Sequence, residues 1–313
     1  MKVFVTGATG FVGRKLCSSL VGQGHSVVAV TRSAARGAEV LPNCDLVEGD
    51  PTFSGDWQQS LAGSDVVFNL AGEPIADGRW DSRRRQVIRD SRVDITRFVV
   101  EGMASLPPEE RPSVLVSASG VDVYPFAADL SALGLDDDET FGEDSPPGDH
   151  FLARVCRDWE SEADEARKLG TRVVVMRFGI VLGKNGGALA RMLPPFKAGV
   201  GGKVGSGRQW FSWIHIDDAV AALLFAMDTV AASGPFNLVA PGVESNQSFS
   251  TQLASSLNRP CFAKVPAFAL RLGLGGFSDY LLNGRCVVPE KLEALGFEFR
   301  FSRLSDALNE ILN

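Results

Sequence analysis

The sequence is poor in the residues that build metal and disulfide sites. Its 313 residues include five cysteines and three histidines. The cysteines are odd in number, and none belongs to a Cys-x-x-Cys pair; they stand at positions 17, 44, 156, 261 and 286. This pattern argues against a metal site and against a disulfide framework. It favours a reducing compartment, and we expect the protein to be cytoplasmic.

Long apolar runs and an excess of positive charge are also missing. No charge-poor stretch reaches the roughly 18–20 residues that a membrane-spanning helix needs, and the N-terminus lacks the basic segment and cleavage site of a signal peptide. The formal net charge is −7, which is the wrong sign for nucleic acid or an anionic membrane. We therefore expect a globular protein that binds neither nucleic acid nor a membrane.

The N-terminal residues form the most informative motif in the chain. The apolar run Val3-Phe4-Val5 leads directly into Gly7-x-x-Gly10-x-x-Gly13, and a helical apolar pattern follows. Such a strand, glycine turn and helix place unpaired N–H groups and the positive end of a helix dipole where a pyrophosphate can bind. The glycines permit the turn and the close approach of the phosphates. The motif predicts a dinucleotide site that includes Gly7, Thr9, Gly10, Phe11, Val12 and Gly13.

Strand-like and helical segments alternate along the first part of the chain, which is typical of a parallel sheet covered by helices. Strands are predicted at 3–5, 26–30, 44–48, 65–70, 113–117 and 172–177, and the main helices at 83–103 and 151–169. Right-handed crossovers would wind them into an α/β fold with a doubly wound parallel Rossmann sheet.

The rhythm changes after Gly183, where glycine- and proline-rich loops separate short elements. We predict a Rossmann domain over 1–183 and a smaller C-terminal α/β lobe over 184–313, from which a strand can return to the sheet. Strand-like segments in this part are 235–239 and 297–301. The long acidic segment 126–149 fits either a lid or a solvated surface loop.

The end of the second predicted strand indicates the cofactor. An NAD-selective site carries an acidic residue there, whereas this chain has Thr31-Arg32-Ser33. An arginine with two hydroxyls can bind a 2′-phosphate, so we predict NADP(H); alternatively, Arg32 is only a surface residue. Asp50 fits an acceptor for the adenine amine or a turn cap. Small residues after the fourth strand would let the backbone run beside the cofactor, at Leu70, Ala71 and Gly72.

These motifs resemble the extended short-chain dehydrogenases/reductases. Longer segments resemble one atypical branch, the NAD-dependent epimerase/dehydratase or epimerase family proteins, nearly from end to end. They are NLAGEPIADGRW (69–80), DSRVDITR (90–97), SAS (117–119), EDSPPGDHFLARVCRDWE (143–160), GSGRQWFSWIHIDD (205–218) and PAFALRL (266–272). The resemblance implies NADPH as cofactor, adds Arg92 and Ser117 to the cofactor site, and is compatible with a homodimer.

The Tyr-x-x-x-Lys pair of the short-chain dehydrogenases is absent. In that pair the lysine lowers the tyrosine pKa, so that the phenol can exchange a proton near neutral pH. The chain has two tyrosines, Tyr124 and Tyr280, and neither is followed by lysine four residues later. The matching stretch begins with Phe151. Substitute catalytic groups could be Ser117, Ser119 and Tyr124, although Tyr124 also fits a packing role, and Asp122 is a further candidate.

Arginines and tryptophans stand where the resemblance implies the substrate edge. Arginine beside indole suits a planar or anionic ligand, although the same side chains could fill the core and pair with carboxylates. The candidates are Glu73, Arg79, Trp80, Arg177, Arg208 and Trp210. We predict an NADP(H)-dependent oxidoreductase or epimerase for an unidentified small polar or nucleotide-sugar-like substrate. The alternative is a non-catalytic NADP(H)-binding sensor or scaffold, which a site plugged by Phe151 and the tryptophans would favour.

Overall fold

Among the described residues, seven parallel strands form the central sheet. In this computed structural model, which describes residues 1–126 and 139–313, the strands are β1 (Lys2–Thr6), β2 (Ser26–Thr31), β3 (Asp45–Glu48), β4 (Val66–Asn69), β5 (Val114–Gly120), β6 (Thr140–Phe141), β7 (Arg172–Phe178), β8 (Ile180–Leu182), β9 (Gly202–Val204), β10 (Trp210–Phe211), β11 (Trp213–His215), β12 (Gly234–Leu238), β13 (Glu244–Ser245), β14 (Ala263–Val265) and β15 (Cys286–Val287). The sheet order is β3-β2-β1-β4-β5-β7-β12. The order reverses direction between β1 and β4, which opens a crevice at the carboxyl ends of these strands.

Helices cover both faces of the sheet, as the doubly wound prediction requires. They are α1 (Phe11–Gly22), α2 (Ala34–Val40), α3 (Ser82–Ser105), α4 (Phe151–Asp164), α5 (Gly187–Lys197), α6 (Ile216–Asp228), α7 (Asn246–Ser256), α8 (Ala267–Leu274), α9 (Phe277–Leu282), α10 (Glu290–Ala294) and α11 (Leu304–Leu312). Helices α1 and α6 pack together, and α3 packs on α4. The prediction of a doubly wound parallel sheet is confirmed.

The apolar runs of the strands supply two cores because alternate side chains point to opposite faces of a sheet. Val3 and Val5 of β1 belong to the same buried cluster as Leu16 of α1. Phe4 points the other way, into a cluster with Val99 of α3. All of these side chains are fully buried. Burial on both faces explains why the strands are continuous apolar runs rather than alternating patterns.

The C-terminal part of the chain has its own core and also completes the central sheet. Trp213, Phe249, Leu304 and Leu308 form a separate buried cluster with their neighbours. Strand β12, however, pairs with β7 at the edge of the central sheet. The chain beyond residue 183 therefore contributes to both parts of the molecule.

The strand expected at 297–301 is wrong, since the structure forms none there. The N–H groups of Arg300 and Phe301 donate to the two carboxylate oxygens of Asp218, each at 2.9 Å. A side chain from α6 thus takes the place of a neighbouring strand. The apolar alternation of the segment instead packs Phe297 and Phe299 against the core beside α6.

Half of the acidic segment 126–149, residues 127–138, lies outside the described residues, so its assignment as lid or surface loop stays a prediction. The described part, from residue 139, contributes β6, which pairs with β15. It also contributes the buried Glu143. Of the helices within 1–126 and 139–313, none combines the length and the apolar character needed to cross a membrane.

Candidate functional site

A cleft of about 740 Å³ opens at the carboxyl ends of β1, β2 and β4. This is the crevice where the strand order reverses, which is where open α/β sheets bind their ligands. Its lining residues are Gly7, Thr9, Gly10, Val30, Thr31, Arg32, Ser33, Arg36, Gly37, Val40, Asp50, Pro51, Thr52, Leu70, Ala71, Gly72, Glu73, Pro74 and Ile95. Most of the residues predicted for the cofactor site thus lie together.

The glycine turn brings backbone to the floor of the cleft. Gly7 has a φ of 68°, and a Cβ on it would lie 2.7 Å from the backbone nitrogen of Ala71. A Cβ on Gly13 would lie 2.2 Å from the carbonyl oxygen of Gly7. Helix α1 starts after Gly10, and this glycine has no side chain that could cap the helix. The first N–H groups of α1 are therefore available to an anionic ligand, and the turn fits a pyrophosphate.

The other end of the cleft is cationic. Arg32 and Arg36 are exposed at its wall, beside Ser33, whose hydroxyl accepts from the Arg36 N–H. Asp50 accepts from the N–H and hydroxyl of Thr52, at 3.0 and 2.7 Å, and still lines the cleft. It therefore caps a turn at the position where it could also face an adenine. Sequence reasoning missed Arg36, although its spacing one helical turn beyond Arg32 was a usable signal.

Other residues predicted for the cofactor site do not line the cleft. Phe11 packs its ring against the backbone at Gly186, and neither Val12 nor Gly13 reaches the cleft wall. Arg92 is mostly buried, and its guanidinium donates to the carbonyls of Ile88 and Glu73 at 2.9 and 3.0 Å. Arg92 therefore supports the loop that carries Glu73 along the cleft.

The proposed catalytic residues Ser117, Ser119 and Tyr124 lie in the core beneath this edge of the sheet. Ser117 accepts from the Asn69 amide at 3.3 Å, and Ser119 donates to Glu160 at 2.7 Å. Tyr124 is 0% exposed, and its hydroxyl donates to Asn237 at 2.7 Å. Burial raises the pKa of Tyr124 to about 12. None of these groups lines the cleft, and their catalytic role stays a prediction.

The candidate substrate residues are not brought into one group. Glu73 lines the cleft and pairs with Arg84 at 2.9 Å. Arg177 is buried in an ion pair with Glu160, and Arg79 is exposed on the loop after Glu73. The remaining side chains stand elsewhere: Trp80 in an aromatic cluster, Arg208 at a second, open concavity beside α7, and Trp210 in β10.

The loop that leaves the cleft after Pro74 packs into an aromatic cluster through Trp80. The Trp80 ring lies 5.6 Å from Phe151, 5.5 Å from Phe277 and 5.1 Å from Tyr280, centroid to centroid. The Trp80 indole N–H donates to the carbonyl of Ile75 at 2.7 Å. A wall of aromatic rings, one of them the phenol of Tyr280, therefore stands where the resemblance to short-chain dehydrogenases leads one to expect the catalytic tyrosine.

One group of described side chains has the donor atoms of a metal site: His215, Asp217 and Glu310. His215 already accepts from the Asp217 N–H at 3.1 Å and lies 3.0 Å from a Glu310 oxygen. Lys15 and Arg300 lie 2.9 and 3.7 Å from the Asp217 carboxylate. Because cations of the protein already neutralise this carboxylate, the arrangement fits an ion-pair network better than a metal centre.

Comparisons with known proteins agree with this geometry. Residues 3–239 match the model of the NAD dependent epimerase/dehydratase family, and residues 265–311 match a domain of unknown function, DUF1731. The chain is 40% identical over 312 residues to the chloroplastic epimerase family protein SDR39U1 homolog of Arabidopsis thaliana, covering 100% of this chain and 87% of the relative. It is 38% identical to an epimerase family protein of Staphylococcus haemolyticus, covering 100% of both.

Solved structures show the same relationship. The human epimerase family protein SDR39U1, crystallised with NADPH, superposes with a TM-score of 0.84 at 32% identity and 99% coverage of both chains. A UDP-glucose 4-epimerase from Thermotoga maritima superposes with a TM-score of 0.78 at 18% identity, covering 100% of this chain and 97% of that one, which shows a shared fold alone. The chain belongs to the NAD dependent epimerase/dehydratase family, among the epimerase family proteins similar to SDR39U1.

Proposed function

We propose that the protein binds NADP(H) in the cleft and uses it as an oxidoreductase or epimerase. The observation that carries the proposal is the pairing of an uncapped helix N-terminus at Gly10 with the arginines Arg32 and Arg36 at the far wall. The first suits a pyrophosphate, and the second suits a 2′-phosphate. The similarity to a human protein crystallised with NADPH supports the same cofactor.

Different residues of the cleft would bind different parts of the cofactor. The turn from Gly7 to Gly10 would hold the diphosphate, Arg32, Ser33 and Arg36 the 2′-phosphate, and Asp50 the adenine. Leu70 to Glu73 would guide the ribose toward the loop with the aromatic cluster. The cofactor supplies hydride transfer when bound. We propose the substrate only by class, as a small polar or nucleotide-sugar-like carbonyl or alcohol. That the protein forms a homodimer stays a prediction.

The variant Arg32→Glu tests the cofactor assignment. It should weaken NADPH binding at least about tenfold more than NADH binding, because a charge-assisted hydrogen bond contributes about 1.5–3 kcal/mol. Binding is measured by titrating NADPH and NADH fluorescence. Arg259→Glu, at an exposed arginine after α7, is the matched control and should leave both affinities unchanged. Equal losses for the two cofactors in Arg32→Glu would contradict the role of Arg32.

The aromatic cluster gives a specific reason to keep a second candidate function, a non-catalytic NADP(H) sensor. Phe151 and Phe277 pack on Trp80 beside the loop that leaves the cleft, so a bound nicotinamide could be sealed from any substrate. Acrylamide quenching of bound NADPH fluorescence distinguishes the two functions. A sensor should protect the ring from the quencher, and the protection should be lost in Phe151→Ala. An enzyme with an open substrate site should leave the ring accessible in the unmodified protein.

A further inference from the structure

Tyr280 on α9 is the phenol of this chain that stands outside the fully buried core. It is half-buried, whereas Tyr124, the other tyrosine, is 0% exposed. The Tyr280 hydroxyl lies 3.3 Å from His150 Nδ1 and accepts from the Leu152 N–H at 3.0 Å. The phenol of one helix therefore sits at the N-terminus of another, α4, across 128 residues of sequence.

His150 belongs to a longer polar line. The Arg285 guanidinium lies 2.8 Å from His150 Nε2 and 3.2 Å from the Asp122 carboxylate. Asp122 follows β5, and Arg285 is buried. The line therefore runs from the carboxyl edge of the central sheet to the phenol of Tyr280, with one titratable or charged side chain after another.

The place of Tyr280 in the fold connects it to the cleft. Its ring lies 5.1 Å from Trp80, and Trp80 donates through its indole to Ile75, next to the cleft-lining Pro74. The backbone N–H of Trp80 also donates to the Leu274 carbonyl at the end of α8. The loop after the cleft is thereby tied to the segment that carries Tyr280. The hydroxyl stands beside Leu152, in the stretch where the dehydrogenase resemblance would place a catalytic tyrosine.

We propose that Tyr280 is the proton donor and acceptor of this site, with His150 as a positioning residue. The proposal rests on the proposed NADP(H)-dependent function. In the reducing direction the Tyr280 O–H bond breaks, its proton forms an O–H bond with the substrate oxygen, and the electron pair stays on the phenolate. The phenolate then takes a proton from water. The Leu152 N–H donates to the oxygen in both states, and His150 Nδ1 orients the hydroxyl in the resting state.

The surroundings of Tyr280 set a clear expectation for a bound cofactor. Burial, followed by the nearby Asp122 carboxylate, raises the Tyr280 pKa, while the Leu152 N–H, Arg285 and Arg85 act in the opposite direction. The oxidised nicotinamide ring carries a positive charge that the reduced ring lacks. If Tyr280 faces this ring, NADP⁺ must favour the phenolate more than NADPH does.

Fluorine NMR of protein labelled with 3,5-difluorotyrosine tests this directly. Only two residues carry the label, Tyr280→Phe and Tyr124→Phe assign the two signals, and the fluorinated phenol ionises at a lower pH than tyrosine. The two signals are titrated in the NADP⁺ complex and in the NADPH complex. The ionisation constant of residue 280 should be at least about tenfold larger with NADP⁺, which is one pKa unit. That of residue 124 should be equal in both complexes.

A second variant tests the positioning residue. His150→Gln should move the resting fluorine shift of residue 280 further than that of residue 124, which contacts His150 through its backbone carbonyl, 3.0 Å from Nε2. If both complexes form and residue 280 titrates alike in each, Tyr280 does not face the reacting ring and the inference is overturned. If fluorescence titration shows that neither cofactor binds, the proposed function itself fails and the inference fails with it.

Discussion

Removing the guanidinium of Arg177 should cost more stability than almost any other single change to a polar side chain of this protein. Its Nε and Nη2 donate to the two Glu160 oxygens at 2.9 and 2.8 Å. Its Nη1 donates to the Tyr124 hydroxyl and to the Glu143 carbonyl, each at 3.0 Å. The Arg177 and Glu160 side chains are only 10% and 17% exposed. Arg177→Met would therefore leave a mostly buried carboxylate without its cationic partner, with only the Ser119 hydroxyl still donating to it.

The expected loss is about 3–5 kcal/mol in the free energy of unfolding, the cost of breaking a buried pair from one side. Arg89→Met is the matched control. Arg89 pairs with Asp158 at 3.0 Å, but these side chains are 39% and 48% exposed, so the loss there should stay under about 1 kcal/mol. Both are measured by urea unfolding followed by circular dichroism and tryptophan fluorescence.

The double variant Arg177→Met with Glu160→Gln should recover part of the loss, because it removes the uncompensated charge. Cofactor affinity should be unchanged in Arg177→Met wherever the protein is folded. A loss as small as that of Arg89→Met would refute the reasoning. If Arg177→Met weakened NADPH binding without reducing stability, Arg177 would instead be a ligand-binding residue.

Two further changes test the turn and a buried carboxyl. Gly13→Ala should weaken NADPH binding at least about tenfold and destabilise the fold by about 1–3 kcal/mol, since its Cβ would lie 2.2 Å from the Gly7 oxygen. Gly22→Ala in the same helix is the control, because a Cβ there meets nothing within 4 Å, and it should change neither quantity. Fluorescence titration measures the binding, and urea unfolding measures the stability. Burial raises the pKa of Glu143, so its contribution to stability is greatest below the ordinary carboxyl pKa and is lost as the pH rises through the folded-state value. Glu143→Gln should therefore gain stability relative to the unmodified protein as the pH rises above the ordinary carboxyl pKa in urea titrations, and a pH-independent difference would contradict this.

Much of the fold could be predicted because its signals are local. The run Val3-Phe4-Val5 followed by Gly7, Gly10 and Gly13 defines a strand, a turn and a helix within neighbouring residues. Parallel strands buried on both faces appear as apolar runs, as at 26–30 and 172–177. The cleft-lining residues Arg32, Ser33 and Asp50 follow strand ends, and the carboxyl ends of parallel strands meet at one edge.

The structure overturned the predicted strand at 297–301, and it gave several polar groups distant partners that the sequence does not indicate. The apolar alternation at 297–301 favoured a strand, yet Asp218 satisfies the N–H groups of Arg300 and Phe301. Ser119 and Arg177 sit at a strand end like the cleft residues, but both turn to Glu160 on α4. No pattern among neighbouring residues in the sequence indicates these contacts.

The sequence by itself determined the order of the strands of the central sheet and the glycine turn at its edge, because backbone conformation and apolar periodicity depend on near neighbours. Only the tertiary structure decided which polar side chains face the cleft and which are hydrogen-bonded to partners in the core. Tyr124 meets Asn237 across 113 residues, and Tyr280 meets His150 across 130. Such pairs form because helices and strands pack in one arrangement, and a buried polar group then bonds to the partner that packing brings within reach.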